Sequence, residues 1–380
     1  LPLSSPHWSP FNNPNSIAQV RALLEWIACD LVSGDKVAYM PGTEGSISRA
    51  LGAYTSSTLT IPAPLVGNLA MGGLLNQAVG PDELPTRMMV ALVNDRPAWA
   101  GIIWKVRGGS DGLVELGCAT PESYLDRRYV GDVSYSNLDL ATIAANLARL
   151  TNTEGINLDI DAIPSGPRNR SRTYWDDEDA TYYQRLQELM DVDGGPEWTI
   201  DPDWRSFKQQ SVRLIFKVRD RIGSTTPRGP LSTDAESVTG YSVSYDYGKG
   251  MGANDAFTYS SGEGEDRPHS LHYRNEIALA SGVPRVENRR SPSSSIKDPL
   301  VLNGHAKSDL ARLDGGTTTI DVTARWDVFP ARLGIDLDLG DDTEFAMTGH
   351  MHPTGIYGIG RLIGWKFNTE KAEFIPTLRL

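Results

Sequence analysis

The sequence predicts an α+β protein that is mainly β, and three observations carry that reading. Glycine and proline are abundant, with 37 and 24 among 380 residues, which favours many short strands over long helices. Residues 87–129 read as three short strands joined by local turns. Two further segments alternate with period two: Val212, Leu214, Phe216 and Val218 against Arg213, Lys217 and Arg219, then Ile320, Val322, Ala324 and Trp326 against Asp321, Thr323, Arg325 and Asp327. That is the pattern of a strand with one buried and one solvated face.

Composition bounds the function. A chain of 380 residues accommodates two or three domains, and 39% apolar with 22% charged residues belongs to a folded protein. The formal net charge is -12, from 48 acids against 36 bases, so nucleic-acid binding through a basic surface is disfavoured. The same acidity suits a passage through which DNA slides without sticking. Cys29 and Cys118 are far apart and form no CxxC, as expected of small buried thiols in a chain assembled under reducing conditions. No run of about 18 apolar residues exists, so no membrane insertion is expected. The most apolar stretch, 65–79, is broken by Asn68, Gly72, Gly73 and Asn76 and reads as a packed or interface loop. Residues 1–15 carry four prolines and no basic start, which excludes a secretory signal. They read as an extended arm whose Leu3, Trp8 and Phe11 dock on a neighbouring element or subunit.

Taken in order, Ser16 is an N-cap for a helix over 17–31, since Val20, Leu23, Leu24, Ile27 and Leu31 recur at helical spacing and Gly34 stops it. Strands follow at 37–40 and 57–61, separated by glycine-rich residues 41–52. The meander comes next: strand 89–93, a tight turn at Asp95, Arg96 and Pro97, strand 99–106 with Trp99 and Trp104, a glycine-rich loop at 108–112, and strand 113–118. Pro121 opens a short helix whose Tyr124 and Leu125 pack over the meander's end. These elements make residues 1–135 a first β-barrel-like domain. Residues 136–205 read as an α/β insertion. One helix buries Leu140, Ile143, Ala144, Leu147 and Leu150 and ends at 151–153. A second takes the acids at 176–179 as its first turn and packs Tyr182, Tyr183, Leu186, Leu189 and Met190, before Gly194, Gly195 and Pro196 end it and a strand begins at Glu197. Residues 206–380 read as a second β-barrel-like domain with long loops, discontinuous with the first. It holds strand 212–218, a loop-rich section over 221–295, strand 242–247, a helix over 306–313, the strand at 320–327 and a closing hairpin, 360–367 with 372–380.

Several constellations bear on chemistry. In the run from Glu154 to Asp161, Asp159 and Asp161 have the spacing of the acid-lined strand in family 18 glycosidases, DxxDxDxE, but the proton donor's place is taken by Ile163. Without that donor the reaction is lost, and Asp159 and Asp161 fit a half-exposed strand. His350 and His352 would share a face of a strand, with Asp341, Asp342 and Glu344 upstream. A metal site needs further ligands, and Pro353 points to a turn. His269 and His272 read as solvated side chains in a polar loop. The GxSxG match at 108–112 (GGSDG) falls in the meander's glycine-rich loop and not on a strand-to-helix turn, and there is no Walker loop or GxGxxG. Residues 42–46 are a glycine-rich turn, and the acids at 176–179 lack the glycine and final glutamate of a calcium loop. No catalytic, cofactor-binding or metal residue is therefore assigned, and no enzyme activity is expected. Nine tryptophans are many for this length. Trp99, Trp104, Trp198, Trp326 and Trp365 fall in predicted strands, where core packing explains them first and subunit contact second.

The segments PAWAGIIWKVRGG and VELGCATPESYLDRRYV, the helix-to-strand run LQELMDVDGGPEWTID, and the closing YGIGRLIGWKFNTEKAEFIPTLRL resemble the baseplate hub proteins of long-tailed, siphovirus-like phages, especially those infecting actinobacteria. These are minor tail proteins of the tail-associated-lysin type, and the resemblance spans nearly the whole chain. It implies two small β-barrel-like tail-hub domains with an α/β insertion, residues 87–118 falling in the first and 320–380 with 212–218 in the second. It further implies a virion protein of the tail tip, assembled in the host cytoplasm, three copies of which close a ring below the distal tail protein. That ring caps the tube, touches the tape-measure protein and other tail-tip proteins, and opens so that DNA passes through its lumen into the host. Many such hubs continue into a wall-attacking extension, whereas this sequence ends at Leu380, so that activity is not expected of it. Its first residue is Leu rather than Met, as expected of a trimmed chain. A hub would bury its Trp and Tyr residues and the 65–79 loop only in the oligomer. A distal tail ring protein of the same assembly would have six copies rather than three. A glycan-processing hydrolase would be a monomer with Asp159 or Asp161 beside a second carboxylate in a cleft.

Overall fold

The structure is a computed structural model that describes residues 24–63, 86–108, 110, 112–164, 169–262, 266–292, 296–326 and 337–380. The expected N-terminal arm, the start of the first expected helix and the 65–79 loop lie outside the described residues.

Thirteen strands pair into one sheet. From one edge the order is Val238–Asp246, Thr317–Arg325, Glu373–Arg379, Ile356–Asn368, Glu44–Ala50, Ser56–Pro62, Leu113–Ala119, Arg96–Gly108, Arg87–Val93, Leu24–Asp30 and Lys36–Tyr39. Two more strands branch off: Asp342–Met347 beside Ile356–Asn368, and Arg228–Ser232 beside Asp342–Met347. The long strand Ile356–Asn368 joins the halves. Ile356 to Arg361 pair with Asp342–Met347, whereas Gly364 to Asn368 pair with Glu44–Ala50. The mainly-β α+β class expected of the sequence is what the chain adopts. The expected barrel-like lobes are the two ends of one continuous sheet, and no closed barrel forms among the described residues.

The expected helix over 17–31 is corrected where it can be seen, because Leu24–Asp30 is a strand between Lys36–Tyr39 and Arg87–Val93. Its neighbours cover both faces. Trp26 and Ala28 enter one core, and Ile27 and Cys29 enter another. A strand buried on both sides shows no polar alternation, so its apolar residues fell by chance on a helical period. Arg87–Val93 is buried throughout for the same reason, with Met89, Ala91 and Val93 in the first core and Met88, Val90 and Leu92 in the second.

Two turn assignments also change. Asn94 and Asp95 both take positive φ, 49° and 63°, and form the two-residue hairpin turn one position before the expected site. Pro97 lies in the following strand beside a register shift, where a missing N–H is tolerated. The glycine-rich stretch 41–52 contains the strand Glu44–Ala50. Gly45 sits at φ 144°, and a Cβ there would lie 2.4 Å from the Thr58 carbonyl oxygen, so glycine marks strand crossing here.

The insertion is a three-stranded sheet, Glu197–Trp204, Val212–Arg219 and Leu158–Ala162, covered by helices. Val212–Arg219 thus pairs with strands of the insertion and not with the second lobe, and the expected boundary at 205/206 cuts through this sheet. Helix α1 (Glu122–Leu125) precedes α2 (Leu140–Leu150), whose N-cap Asp139 accepts from the Ala141 N–H at 2.9 Å. In α2, Leu140, Ile143, Ala144 and Leu147 are buried as expected, while Leu150 is exposed. The acids at 176–179 do not start the second helix. Asp176–Glu178 is a separate 3-10 turn, and Asp179 at φ 48° breaks the chain before α3 (Tyr182–Met190). There Thr181 and Gln184 form a capping box, Thr181 Oγ1 accepting from the Gln184 N–H and Gln184 Oε1 from the Thr181 N–H.

The section expected to be loops over 221–295 holds more structure than its composition predicted. Strands Asp255–Thr258, Tyr273–Arg274 and Glu287–Arg290 form a small sheet with helices α4 (Glu276–Ala280) and α5 (Pro299–Leu313) nearby. A buried ion cluster sits among them beside apolar Ala256, Leu302 and Ala306. The Asp255 carboxylate is fully buried between His272, Arg274 and Arg285, at 2.7, 3.0 and 2.6 Å. Burial alone would raise Asp255, but these hydrogen bonds outweigh it and hold it below the usual carboxylate range.

Candidate functional site

Asp159 and Asp161 sit on the Leu158–Ala162 strand, which runs parallel to Val212–Arg219. Each carboxylate is matched by an arginine across the pair: Asp161 accepts from Arg219 at 2.6 Å, and Arg213 lies 3.7 Å from Asp159. Ile163, where the glycosidase donor would stand, is 53% exposed. The pair is therefore a counter-charged face of a half-exposed strand.

The histidines also change character. His350 and His352 lie in a turn, with Gly349 and His352 exchanging backbone hydrogen bonds, so they share no strand face. The His352 ring nitrogens reach the hydroxyls of Tyr241 and Tyr245, both at 3.3 Å. His269 and His272 are not simply solvated. Both rings stack on Phe257, at 5.4 and 4.7 Å between centroids, and His272 also bonds Asp255. Among the described residues no three His, Cys, Asp or Glu side chains group as a metal site. Cys29 and Cys118 are free, buried thiols. Burial pushes Cys29 up to about 12 and Cys118 higher still.

A buried charge cluster lies where the three-stranded sheet meets the thirteen-stranded one. Arg49, on Glu44–Ala50, is buried and donates to Thr199 Oγ1 at 3.0 Å, to the Ile200 carbonyl at 2.9 Å, and to the Asp201 carboxylate. Lys217 reaches the other Asp201 oxygen at 2.5 Å. Glu122, buried on α1, accepts from the Ile200 N–H at 3.0 Å. Burial would raise Asp201, but Arg49 and Lys217 outweigh it and keep it ionised. Asp338 stands next to this cluster, and burial followed by the Asp201 charge raises it to about 6. A cleft of about 390 Å³ opens beside the cluster, with Thr199, Lys217, Arg221 and Asp341 among its walls. The second tie is Glu197 with Arg361, a two-pronged pair between Glu197–Trp204 and the long strand. Arg221 with Asp342, at 2.5 Å, is a third. Sequence reasoning placed Lys217 on a charged face but gave no sign that Arg49, 168 positions earlier, shares its aspartate.

Most of the described tryptophans are core residues of the single chain, Trp175 being exposed. Trp26, Trp99, Trp198, Trp326 and Trp365 are buried and Trp104 partly so, which corrects the expectation that tryptophan is covered only in an oligomer. Several tyrosines remain exposed. Tyr357 is 82% exposed on the long strand, with Ile359 beside it, and Tyr245 and Tyr247 stand at the end of the edge strand Val238–Asp246.

No protein-family model matches the chain, and no curated protein sequence matches it significantly. Solved structures do. The tail protein from Neisseria meningitidis MC58 matches with a TM-score of 0.54 at 13% identity, over 93% of this chain and 96% of that one. The 43 kDa tail protein of prophage MuSo2 from Shewanella oneidensis gives 0.56 at 11% identity, over 93% and 97%. The fold is that of phage tail proteins. Prophage tail protein gp18 from Listeria monocytogenes EGD-e agrees, with a TM-score of 0.52 at 12% identity over 93% and 94%. At these identities only the fold is shared, over 93% of this chain in each case.

Proposed function

We propose that the chain is a structural component of a phage tail tip, a baseplate hub of the kind found in long-tailed phages of actinobacteria. Three copies close a ring below the distal tail protein, contact the tape-measure protein and other tail-tip proteins, and open to let DNA through during host entry. The protein is assembled in the host cytoplasm and acts in the virion, without enzymatic activity. The observation that carries this reading is the coverage: the fold is matched over 93% of this chain and at least 94% of each of three tail proteins. An acidic chain suits a lumen that DNA must cross freely. Exposed Tyr245 and Tyr247 at the end of the edge strand Val238–Asp246, with exposed Tyr357 and Ile359 on the long strand, suit contact between copies.

The experiment is a mass measurement by light scattering of the purified chain, with imaging of the particles. A trimer with a central opening is the expected result, and a monomer at micromolar concentration overturns it. Six copies would instead favour the distal tail ring protein. The hydrolase reading has less support, because Asp159 and Asp161 face arginines; polysaccharide hydrolysis abolished by the double Asp→Asn variant would revive it.

A further inference from the structure

One cleft gathers three basic side chains that make no direct ion pair among the described residues. It lies between the strand Asn169–Tyr174 and the start of α5, and encloses about 420 Å³. Arg170, Arg172 and Lys297 line it. Among the described residues none of the three has a carboxylate within 4.0 Å, the charges of Glu188 and Asp298 reach Arg172 only from farther away, and the two arginines donate to neighbouring backbone carbonyls. The carboxylates that also line the cleft are already engaged. Glu188 accepts from Arg185 at 2.9 Å, and Asp298 caps α5 through the Leu300 N–H at 2.9 Å.

Two residues of the cleft walls each carry a polar atom that is closed to solvent and has no partner. His305 is 1% exposed and Tyr174 3%, yet His305 Nδ1 and the Tyr174 hydroxyl meet no donor or acceptor. Native proteins seldom leave such atoms unsatisfied. Burial, and then the Arg290 charge, lowers His305 to about 4, so the ring is neutral at ordinary pH. It hydrogen-bonds the Asp191 backbone, which leaves Nδ1 as a lone acceptor. An acceptor of this kind calls for a hydroxyl, whereas the three cations call for an anion. Arg172 points the same way: burial, with Arg170 close by, pulls it below its ordinary value, and a bound anion relieves that cost.

We propose that this cleft binds an anionic carbohydrate, a sugar or polyol bearing a phosphate or carboxylate. The anion lies between Arg170, Arg172 and Lys297, and the side chains covering the wall shift so that a ligand hydroxyl donates to His305 Nδ1 while another meets the Tyr174 hydroxyl. The site does not depend on the tail reading, since it rests on side chains that the fold comparison does not touch. The same chemistry is presented by a free sugar phosphate and by a polyol-phosphate polymer of a cell surface.

Calorimetric titration of the full chain tests it, with glycerol 3-phosphate, glucuronate, inorganic phosphate and glycerol as probes. Glycerol 3-phosphate and glucuronate should bind saturably with one site per chain, inorganic phosphate more weakly, and glycerol not at all. Arg172→Gln should weaken binding about tenfold or more, and His305→Leu should remove the preference for glycerol 3-phosphate over inorganic phosphate. Should the buried His305 variant fail to fold, the double variant R170Q/K297Q, at exposed positions, still must lose affinity. A glycerol-phosphate polymer binding more tightly than its monomer identifies a surface polymer as the source, and equal affinity per unit identifies the free metabolite. No saturable binding at millimolar probe, unchanged affinity in Arg172→Gln, or inorganic phosphate binding as well as glycerol 3-phosphate overturns the proposal.

Discussion

Arg361 holds Glu197 through both terminal guanidinium nitrogens, Nη1 lying 2.5 Å from Oε1 and Nη2 bonding Oε2. The pair bridges the long strand and the insertion sheet, and Glu197 also accepts from the Ile222 N–H at 2.7 Å. Both side chains are mostly buried, so removing one strands the other. Arg361→Ala should cost about 2–3 kcal/mol in urea unfolding. Removing Glu197 as well should add much less than a second loss of that size, the non-additivity of a coupled pair.

Asp338 makes stability depend on pH in an unusual direction. Its folded value, about 6, lies above the ordinary carboxylate value, so the folded chain holds this proton more tightly than the unfolded chain. The resulting stabilisation is fully present below the ordinary value and is lost as pH rises through about 6. Asp201 and Asp255 are lowered and act oppositely: their contribution is present above the ordinary value and lost as pH falls through their folded values. Asp338→Asn should therefore gain about 2 kcal/mol over the parent chain at pH 7, with the gain gone near pH 4. Paired melts across that interval measure it, and a constant difference would refute the assignment.

The carboxylates of the insertion strand are part-exposed partners of arginines. Replacing Asp159 and Asp161 together by asparagine should cost less than about 1 kcal/mol. Chemical denaturation measures this, and reducing-end assays on polysaccharides should show no activity in either form.

Gly101 is a packing position. A Cβ there would lie 2.2 Å from the Trp99 ring, which folds across it in the same strand. Trp99 is fully buried, its Nε1 donates to the Ser48 carbonyl at 3.1 Å, and it meets Trp26 edge-on. Gly101→Ala should displace the indole and destabilise the protein by about 1–3 kcal/mol, seen as a lowered melting temperature and altered tryptophan fluorescence.

Both thiols should resist alkylation in the native state at neutral pH. The pKa of Cys29 is pushed up to about 12 by burial, and Cys118 is enclosed, so thiolate is scarce and access is closed. Mass spectrometry after iodoacetamide should find neither modified until denaturant is added, and then both.

How far the fold could be read from the sequence depended on whether one face of an element met solvent. Val212–Arg219 and Thr317–Arg325 were legible because polar and apolar residues alternate along them. Leu24–Asp30 was not, since neighbours bury both its faces, and Glu44–Ala50 was hidden by the glycines that let strands cross closely. Asp255–Thr258 escaped notice because its environment is held by charge: Asp255 looks like a loop residue until three basic side chains converge on it. The same limit governs the sites. Arg49 and Asp201 are 152 positions apart, as Arg172 and His305 are 133 apart, and local spacing carries no mark of such meetings.

The strand Glu44–Ala50 finds its long-range neighbour only in residues 364–368. During synthesis that flank stays open for more than three hundred residues of translation, so the nascent protein carries an adhesive ribbon until residues 364–368 have been made. A product cut short before that point would retain its early lobe with one border bare, and would clump rather than persist as a half-size protein.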